Sequence, residues 1–468
     1  MVVTGFIPAP MLFDSILSRT FAFMTQVLPS RPTTPVPAGA PESVHDVLSR
    51  HILADGFDLV LDLERSHGST LVDARTGASY LDMFTFFASN ALGMNHPSLA
   101  RDDEFRADLL TAALHKPSNS DLYSEPMARF VATFARVLGI PELPHLFFVE
   151  GGALAVENAL KVAFDWKSRL NESRGLDPAL GGRILHLEHA FHGRSGYTMS
   201  LTNTDPIKVA RFPKFDWPRI PSPYLREGAD MDALEARSLA AARAAFESFP
   251  DDIAAAIVEP IQGEGGDHHF RPSFLLGLQA LCHEFDALFV VDEVQSGAGI
   301  TGTAWAHQQL GVEPDVLAFG KKTQVCGIMA GRRVDMVRDN VFEVGSRINS
   351  TWGGGLADMV RARRILEVIE RDGLIARAAE RGAILGAALD ALAVRHPSIS
   401  DVRGRGLFRA FSLPDTATRD RLITRLLVDE RVIMLGCGSR SVRFRPALTV
   451  TEEALADAVA AIDRVLSS

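Results

Sequence analysis

The 468-residue chain contains little cysteine, and its thiols are not spaced for cross-linking or for zinc. Cys282, Cys326 and Cys437 form no CxxC pair, so the sequence predicts no disulfide framework and no structural zinc, and it fits a reducing, cytoplasmic location. His268 and His269 are adjacent rather than spaced as HExxH, which disfavours a zinc enzyme. We therefore predict no metal site.

Long apolar runs and blocks of positive charge are also missing. No apolar run in the sequence reaches the roughly 18 residues that a membrane helix needs. Lysine and arginine (48) are outnumbered by aspartate and glutamate (58), which gives a net charge of -10 and disfavours nucleic acid as the main partner. We expect small-molecule ligands, and neither a membrane nor a nucleic acid as partner.

The chain is rich in apolar residues, which make up 47% of it, enough for a large core divided between two or three domains. Short β-rich runs alternate with helical stretches, a pattern that predicts an α/β fold with a mostly parallel sheet. We predict the N-terminal part of a small domain over residues 41–83, a large domain over 84–350 and the rest of the small domain over 351–468. Residues 1–40 suit either a flexible arm or a contact with a partner subunit.

The most informative segment is residues 288–295, where a continuous apolar run closes on Asp292. Such a run is typical of a parallel strand covered on both faces, and ligands bind at the carboxyl ends of these strands. Polar residues also follow the predicted strands within residues 145–152, 183–194 and 253–264. Because carboxyl ends of parallel strands share one edge of the sheet, we predict that these four ends surround a single cleft.

A pair of lysines, Lys321 and Lys322, follows the next predicted strand directly after Gly320. A lysine on such a short loop can be desolvated, which lowers its pKa and suits it to form a Schiff base. A carboxylate at Asp292 that pairs with a pyridinium nitrogen, together with Lys321, predicts pyridoxal 5′-phosphate (PLP) as cofactor. A Lys-Lys turn alone is usually just solvated; the combination with Asp292 favours catalysis by Lys321.

Other residues are suited to hold the same cofactor. Gly151 and Gly152 open a predicted helix, where backbone N–H groups and the positive helix end bind anions. The pattern is neither GxGxxG nor GxxxxGK, which disfavours dinucleotide and Walker-type sites. Phe191 could stack on the ring, Gln295 could bond its hydroxyl and Thr351 could donate to a phosphate. The alternatives are helix capping, a core aromatic, an exposed amide and a polar turn.

Taken together, these residues resemble the class III PLP-dependent aminotransferases of fold type I. The resemblance covers about residues 45–465 and is most specific at residues 292–295 with Lys321. Residues 327–329 depart from the wider family, in which many members continue to Gly-Gly and a proline, and this departure favours its lysine-specific branch. Similarity to that branch also lies in residues 115–121, 191–197, 212–218, 259–266 and 319–327. The implied fold is a large domain with a mostly parallel sheet, which binds PLP, and a smaller α/β domain formed from both termini.

The resemblance also implies roles for the matching residues. Lys321 would carry PLP and shuttle protons, Asp292 would pair with the pyridinium nitrogen, and Gln295 with the ring hydroxyl. Phe191 would stack on the ring. The phosphate would be held by backbone N–H groups of Gly152 and Ala153, together with Ser350 and Thr351 from the partner subunit of a homodimer with shared sites.

Two arginines would let one pocket accept two substrates. By resemblance, Arg443 would bind the α-carboxylate of L-glutamate or 2-oxoglutarate, and Arg194 the distal carboxylate of either substrate, with Asn349 nearby. Glu264 would neutralise Arg443 while L-lysine is bound. In isolation, Arg443 would be a surface strand residue and Glu264 part of a solvated loop.

The implied reaction is transfer of the ε-amino group of L-lysine to 2-oxoglutarate. It would give L-glutamate and 2-aminoadipate 6-semialdehyde, which cyclises to 1-piperideine-6-carboxylate. Two alternatives stay open: an ω-aminotransferase that uses ornithine or 4-aminobutyrate, and a PLP-binding protein without turnover.

Overall fold

The computed structural model describes residues 39–468, so residues 1–38 of the predicted N-terminal arm lie outside it. The described chain forms two units by its internal contacts, residues 39–65 with 72–79 and residues 66–71 with 80–468. The domain boundaries expected at residues 83 and 350 stay a prediction. No helix within residues 39–468 is both long and apolar enough to cross a membrane.

Strands and helices alternate along the chain, as the sequence predicts. The strands are β1 Thr70–Val72, β2 Ser79–Asp82, β3 His145–Val149, β4 Arg183–Leu187, β5 Arg219–Ile220, β6 Ile253–Val258, β7 Ile261–Gln262, β8 His268–His269, β9 Leu288–Asp292, β10 Val316–Phe319, β11 Cys326–Ala330, β12 Ser400–Arg405, β13 Phe408–Ser412, β14 Val432–Ile433, β15 Leu435–Cys437 and β16 Ser441–Phe444. The α-helices are Val44–Ser49, Pro97–Ala100, Asp103–Ala113, Glu125–Val137, Gly152–Ser173, Thr198–Leu201, Met231–Ser248, Gly263–Gly266, Pro272–Glu284, Leu356–Arg371, Leu374–Arg395, Thr416–Val428 and Glu452–Ser467. Single 3₁₀ turns lie at Pro41–Ser43, Pro206–Lys208, Ala306–Gln309, Lys321–Thr323 and Val334–Met336.

Hydrogen bonds to a buried carboxylate stabilise the smaller unit. Asp73 accepts hydrogen bonds from the backbone N–H of Val60 (3.0 Å) and from the hydroxyl of Thr76 (2.8 Å). These bonds join residues that are distant in sequence and satisfy a carboxylate that is only 2% exposed.

A seven-stranded sheet organises the larger unit, in the order β3-β11-β10-β9-β6-β4-β5. Neighbours are parallel except at β11, which is antiparallel to both β10 and β3. Every residue of β6, β9 and β10 is buried, as expected of strands with both faces covered. The predicted α/β fold with a mostly parallel sheet is confirmed.

Apolar spacing explains the long helix Gly152–Ser173 on one face of this sheet. Its small residues Ala155, Ala159 and Ala163 are fully buried together with Ala318 of β10 and Ile328 of β11. Small side chains at four-residue intervals lie along one side of a helix and let its backbone approach the strands closely. This packing holds the first turn of the helix at the carboxyl edge of the sheet.

Strands β10 and β11 form a hairpin, so the turn after β10 is fixed at both ends. Its register pairs Val316 with Ala330 and Phe319 with Gly327. A Cβ atom on Gly327 would lie 2.2 Å from the carbonyl oxygen of Phe147, so only glycine fits between these strands. The predicted PLP lysine lies in this turn.

A second sheet contains Arg443, the arginine predicted to bind the α-carboxylate. Its antiparallel order is β12-β13-β16-β15, and Arg443 of β16 pairs with Ala410 of β13 and Leu435 of β15. A position on a central strand, with neighbours on both sides, explains why Arg443 is only 3% exposed. The alternative that Arg443 is a surface residue is therefore wrong.

Candidate active site

A cavity of about 750 Å³ lies at the carboxyl edge of the seven-stranded sheet. It is lined by segments that follow β3, β4, β6, β9 and β10, so the strand ends singled out by the sequence converge. The predicted site residues that line it are Gly152, Ala153, Phe191, Arg194, Glu264, Asp292, Gln295 and Lys321.

Lys321 lies in the 3₁₀ turn between β10 and β11, with its backbone in the left-handed region at φ 54°. Such a backbone costs a residue with a Cβ atom about 1–2 kcal/mol and is maintained only by its surroundings. Burial lowers the pKa of the Lys321 amine, and the nearby Arg443 lowers it further, to about 8. With this pKa, about a tenth of the amine is uncharged and nucleophilic at pH 7.

The side chain of the neighbouring Lys322 does not reach the cavity. Its side chain is 1% exposed and does not line the cavity, and its Nζ has no hydrogen-bond partner within the described part of the chain. Burial, reinforced by Arg445 and Lys321, lowers its pKa well below the ordinary lysine value. Of the two lysines, the first is the one with access to a ligand.

Asp292 ends β9 and faces the cavity with a buried carboxylate. Its Oδ2 lies 2.8 Å from Nδ1 of His192, and its Oδ1 accepts a hydrogen bond from the Val294 N–H at 3.0 Å. His192 is 2% exposed, and its Nε2 lacks a partner among residues 39–468. The histidine therefore fixes the orientation of the carboxylate. A cationic ligand group at this end of the cavity would complete the pairing of Asp292.

A second buried carboxyl, Glu259, lies near Asp292. It accepts a hydrogen bond from the Phe191 N–H at 2.9 Å, which fixes the backbone of that residue beside the cavity. Burial raises the pKa of Glu259 well above the ordinary value, and the negative charge of Asp292 raises it further. Burial and the neighbouring carboxylate thus favour the protonated form of Glu259.

Backbone N–H groups are presented at the start of helix Gly152–Ser173. The residue before it, Gly151, has φ 103°, a conformation that favours glycine. Gly193 approaches this turn so closely that a Cβ atom on it would lie 2.5 Å from the Cβ of Ala153. Gly152, Ala153 and Gly193 all line the cavity, so a narrow, amide-lined end faces any bound anion.

The amide of Gln295 is oriented by a buried arginine. Its Oε1 accepts from Nε (3.2 Å) and Nη2 (3.0 Å) of Arg445, which itself donates to Asp267 at 2.5 Å. With its oxygen bound in this way, Gln295 presents its NH₂ as the donor toward the cavity.

Glu264 bridges two cations. Its Oε2 accepts from Nη2 of Arg443 at 3.0 Å, and its Oε1 accepts from Nζ of Lys208 at 2.6 Å. Burial by itself raises the pKa of Glu264, but Arg443 and Lys208 together outweigh it and lower the pKa to about 2. Glu264 and Lys208 line the cavity, whereas Arg443 is not among the described residues that do. Glu264 therefore pairs with Arg443 from the wall of the cavity.

Phe87 also lines the cavity and lies on an unusual stretch of backbone. Residues 85–88 all have φ between 42° and 69°, and the Asp82 carboxylate accepts from the N–H groups of Phe84 (2.9 Å) and Thr85 (2.8 Å) where the stretch begins. The Phe87 ring centroid lies 5.8 Å from Nζ of Lys321 and 5.9 Å from the guanidinium carbon of Arg443. Strain of this kind is characteristic of functional sites.

Arg194 and residues 349–351 differ in their access to the cavity. Arg194 lines the cavity and is exposed, so its guanidinium is free to meet a ligand. Asn349, Ser350 and Thr351 are not among the described residues around the cavity; the Asn349 Oδ1 accepts from the Ser350 N–H at 2.7 Å. Their predicted contribution from a partner subunit stays a prediction.

The family model for class III aminotransferases matches residues 53–466. The chain belongs to this family. It is 65% identical over 443 residues to an L-lysine-epsilon aminotransferase from Mycobacterium tuberculosis (strain ATCC 25618 / H37Rv), covering 94% of this chain and 97% of that protein. An L-lysine-epsilon aminotransferase from Streptomyces clavuligerus is 58% identical over 430 residues, covering 90% and 93%.

A solved structure of lysine aminotransferase from M. tuberculosis, in the internal aldimine form, is similar at a TM-score of 0.91 and 65% identity, covering 92% of this chain and 99% of that one. This class III aminotransferase therefore has fold type I and is a PLP-dependent enzyme. The predicted fold, cofactor and enzyme class are confirmed.

The geometry of the cavity in this aminotransferase fits PLP. A buried carboxylate at Asp292 suits a pyridinium nitrogen, and the amide-lined end at Gly152 suits a phosphate. The partly deprotonated amine of Lys321 and the donor group of Gln295 lie on the same cavity. Within residues 39–468, no group of three or more His, Cys, Asp or Glu is placed to ligate a metal ion.

Sequence reasoning missed two polar residues of the site, Lys208 and His192, as partners of the carboxylates. His192 follows the predicted aromatic residue Phe191 directly, so its position beside a strand end was a usable signal. Lys208 gave no such signal, because it lies in an irregular stretch where no periodic pattern predicts which way a side chain points.

Proposed function

We propose that this protein transfers the ε-amino group of L-lysine to 2-oxoglutarate, forming 2-aminoadipate 6-semialdehyde and L-glutamate. The observation that carries the proposal is the ion pair between Arg443 and Glu264, whose carboxylate lies on the cavity wall. The similarity to the two L-lysine-epsilon aminotransferases supports the same donor.

Each side chain has a defined task in this reaction. Bound PLP acts as an electron sink for the carbon from which a proton is removed. Asp292 stabilises the positive charge on the ring nitrogen, and His192 keeps the carboxylate in place through the 2.8 Å contact. Lys321 attaches the cofactor and, once its amine is displaced, moves a proton to and from the reacting carbon.

The arrangement of charges accounts for the two half-reactions. A lysine that presents its ε-amine has no carboxylate next to the reacting carbon, so Arg443 needs another anion, and Glu264 supplies it at 3.0 Å. Glutamate and 2-oxoglutarate bring an α-carboxylate to that position, and Glu264 must move for it to reach Arg443. The exposed Arg194 then binds the distal carboxylate.

Ser350 and Thr351 fit a shared site in a homodimer. Thr351 is exposed and Ser350 is half-buried, and neither is among the described residues around the cavity of its own chain. We infer that they reach the phosphate of the partner subunit's cofactor, with Asn349 beside them. A cytoplasmic location is part of the same proposal, supported by three cysteines that are buried free thiols.

The test is a half-reaction without a keto acid. The purified, PLP-loaded protein is mixed with L-lysine, and the visible spectrum is followed while the products are analysed by mass spectrometry. The proposal expects loss of the cofactor's visible absorbance and a cyclic imine derived from the 6-semialdehyde. L-Ornithine and 4-aminobutyrate serve as matched donors. Conversion with either of these but not with lysine would replace the donor, and no conversion with any amine, including glutamate, would overturn catalysis.

A further inference from the structure

Lys208 is a charged residue of the cavity to which the reaction as described gives no task. It ends the 3₁₀ turn Pro206–Lys208, whose first residue follows Asp205, and the Asp205 carboxylate accepts from the Ile207 N–H at 3.0 Å. The base of the side chain is thus fixed, while its flexible stem carries Nζ to the Glu264 carboxylate at 2.6 Å.

The two contacts of Glu264 are made by different oxygens. Oε2 meets Arg443 and Oε1 meets Lys208, so one contact can break while the other is kept. Arg443 is 3% exposed, whereas the Lys208 side chain is 23% exposed and lies on the cavity wall. A carboxylate that leaves Arg443 therefore still has a cation within reach on the open side.

Only the side chain of Glu264 is able to make this movement. A Cβ atom on Gly263 would lie 2.2 Å from Oε1 of Gln295, and one on Gly265 would lie 2.2 Å from the carbonyl oxygen of His189. The Glu264 carbonyl also accepts from the Gly438 N–H at 3.0 Å. Backbone packed so closely on both sides holds the loop still while the carboxylate rotates.

We propose that Lys208 is a positioning residue that holds the Glu264 carboxylate after a dicarboxylate substrate has displaced it from Arg443. This inference deepens the proposed function and rests on it for the identity of the two substrates. Removing a charge from its only partner inside a protein is costly, so a second partner lowers the cost of displacement. Lys208 thereby favours glutamate and 2-oxoglutarate, the substrates that require Glu264 to move, over lysine, which does not.

Glutarate is the probe for this step, because it carries both carboxylates of 2-oxoglutarate but no group that can react. Its affinity for the PLP-loaded enzyme is measured by titration calorimetry in the unsubstituted protein, in Lys208→Met and in Lys208→Arg. In Lys208→Met, Glu264 keeps Arg443 as its partner in the free site but has neither cation once glutarate occupies Arg443. Because an unpaired buried charge arises only in the bound state, we expect Lys208→Met to weaken glutarate binding by about 10-fold or more. Lys208→Arg, which keeps a cation, should restore most of the affinity. Lys214→Met is the matched control, since its Nζ donates to the Val209 carbonyl at 2.9 Å on the exposed side of the same segment.

The decisive comparison repeats the substitution without Glu264. If Lys208 acts through Glu264, Lys208→Met should cost several-fold less affinity in a Glu264→Ala background than in the unsubstituted protein. An equal loss in both backgrounds would mean that Lys208 binds the ligand itself, and no loss in either would mean that it has no role; both results overturn the proposal. Cofactor absorbance and thermal unfolding of each variant confirm that it is folded.

Half-reaction rates separate a failure of this inference from a failure of the proposed function. In Lys208→Met, the glutamate half-reaction should lose about 10-fold more kcat/KM than the lysine half-reaction. Absence of lysine conversion in the unsubstituted enzyme would overturn the donor assignment, and the glutarate titration would still decide the role of Lys208.

Discussion

Substituting Glu264 by glutamine tests the mechanism of dual specificity most directly. The change keeps the size of the side chain and removes its charge, so Arg443, which is 3% exposed, loses its anionic partner. Burial lowers the pKa of Arg443; among the described residues, Glu264 raises it most strongly, and Cys437 and Asp267 contribute less. A charged hydrogen bond contributes about 1.5–3 kcal/mol, and each 1.4 kcal/mol corresponds to a factor of ten. Because glutamine still accepts a weaker hydrogen bond, we expect the lower end, a loss of about 10-fold in kcat/KM for lysine.

The glutamate half-reaction responds in the opposite sense. Its α-carboxylate must displace Glu264 from Arg443, so removal of the charge removes that cost. The ratio of kcat/KM for glutamate to that for lysine should therefore rise by about 10-fold or more in single-turnover measurements. Glu313→Gln, an exposed carboxylate outside the cavity lining, is the control and should leave the ratio unchanged. An unchanged ratio in Glu264→Gln would refute the proposed part of Glu264 in substrate choice.

Three further predictions follow from single contacts. Lys321→Ala should abolish cofactor attachment, measured as the PLP mass retained on the protein after borohydride reduction; Lys322→Met should retain it, and the reverse result would reassign the lysine. Because Arg443 and Lys208 hold the pKa of Glu264 at about 2 against an ordinary 4.5, its stabilisation, about 3 kcal/mol, is fully present above pH 4.5 and is lost as the pH falls toward 2. The difference in unfolding free energy between the unsubstituted protein and Glu264→Gln should shrink over that range, and a constant difference would contradict the ion pairing. Gly193→Ala places a Cβ atom 2.5 Å from Ala153 at φ 119° and should weaken PLP binding by about 1–3 kcal/mol in a titration of the apoprotein, whereas Gly182→Ala, in open surroundings, should not.

The sequence was most informative where a residue follows a strand. Asp292 and Lys321 each come directly after, or at the end of, a fully buried apolar run, and such runs have few alternatives to a parallel strand in an α/β sheet. Once the strands are known, the shared edge places both residues at one cleft without any knowledge of loop structure. The same reasoning selects Lys321, which directly follows Gly320, over Lys322. Their difference in burial is not encoded in the pattern, because it depends on the direction in which a left-handed turn points each side chain.

Other parts of the site depend on long-range packing that local patterns do not encode. The contact between Glu264 and Arg443 joins residues 179 positions apart, and it exists because a second sheet buries β16 behind the loop that carries Glu264. Lys208 reaches the same carboxylate from a segment without regular periodicity. The formal charge of each side chain was predictable from its residue type. Which of these charges form ion pairs was set by tertiary structure.

The hairpin formed by β10 and β11 limits how this protein can vary. Phe319 pairs with Gly327, so the residues between them, including Lys321, form a connection of fixed length. One added residue that the turn did not absorb would shift β11 by one position and exchange the two faces of the strand. A side chain would then occupy the place of Gly327, where a Cβ atom meets the Phe147 carbonyl oxygen at 2.2 Å. Relatives that keep this sheet can therefore change the identity of residues after the lysine far more readily than their number.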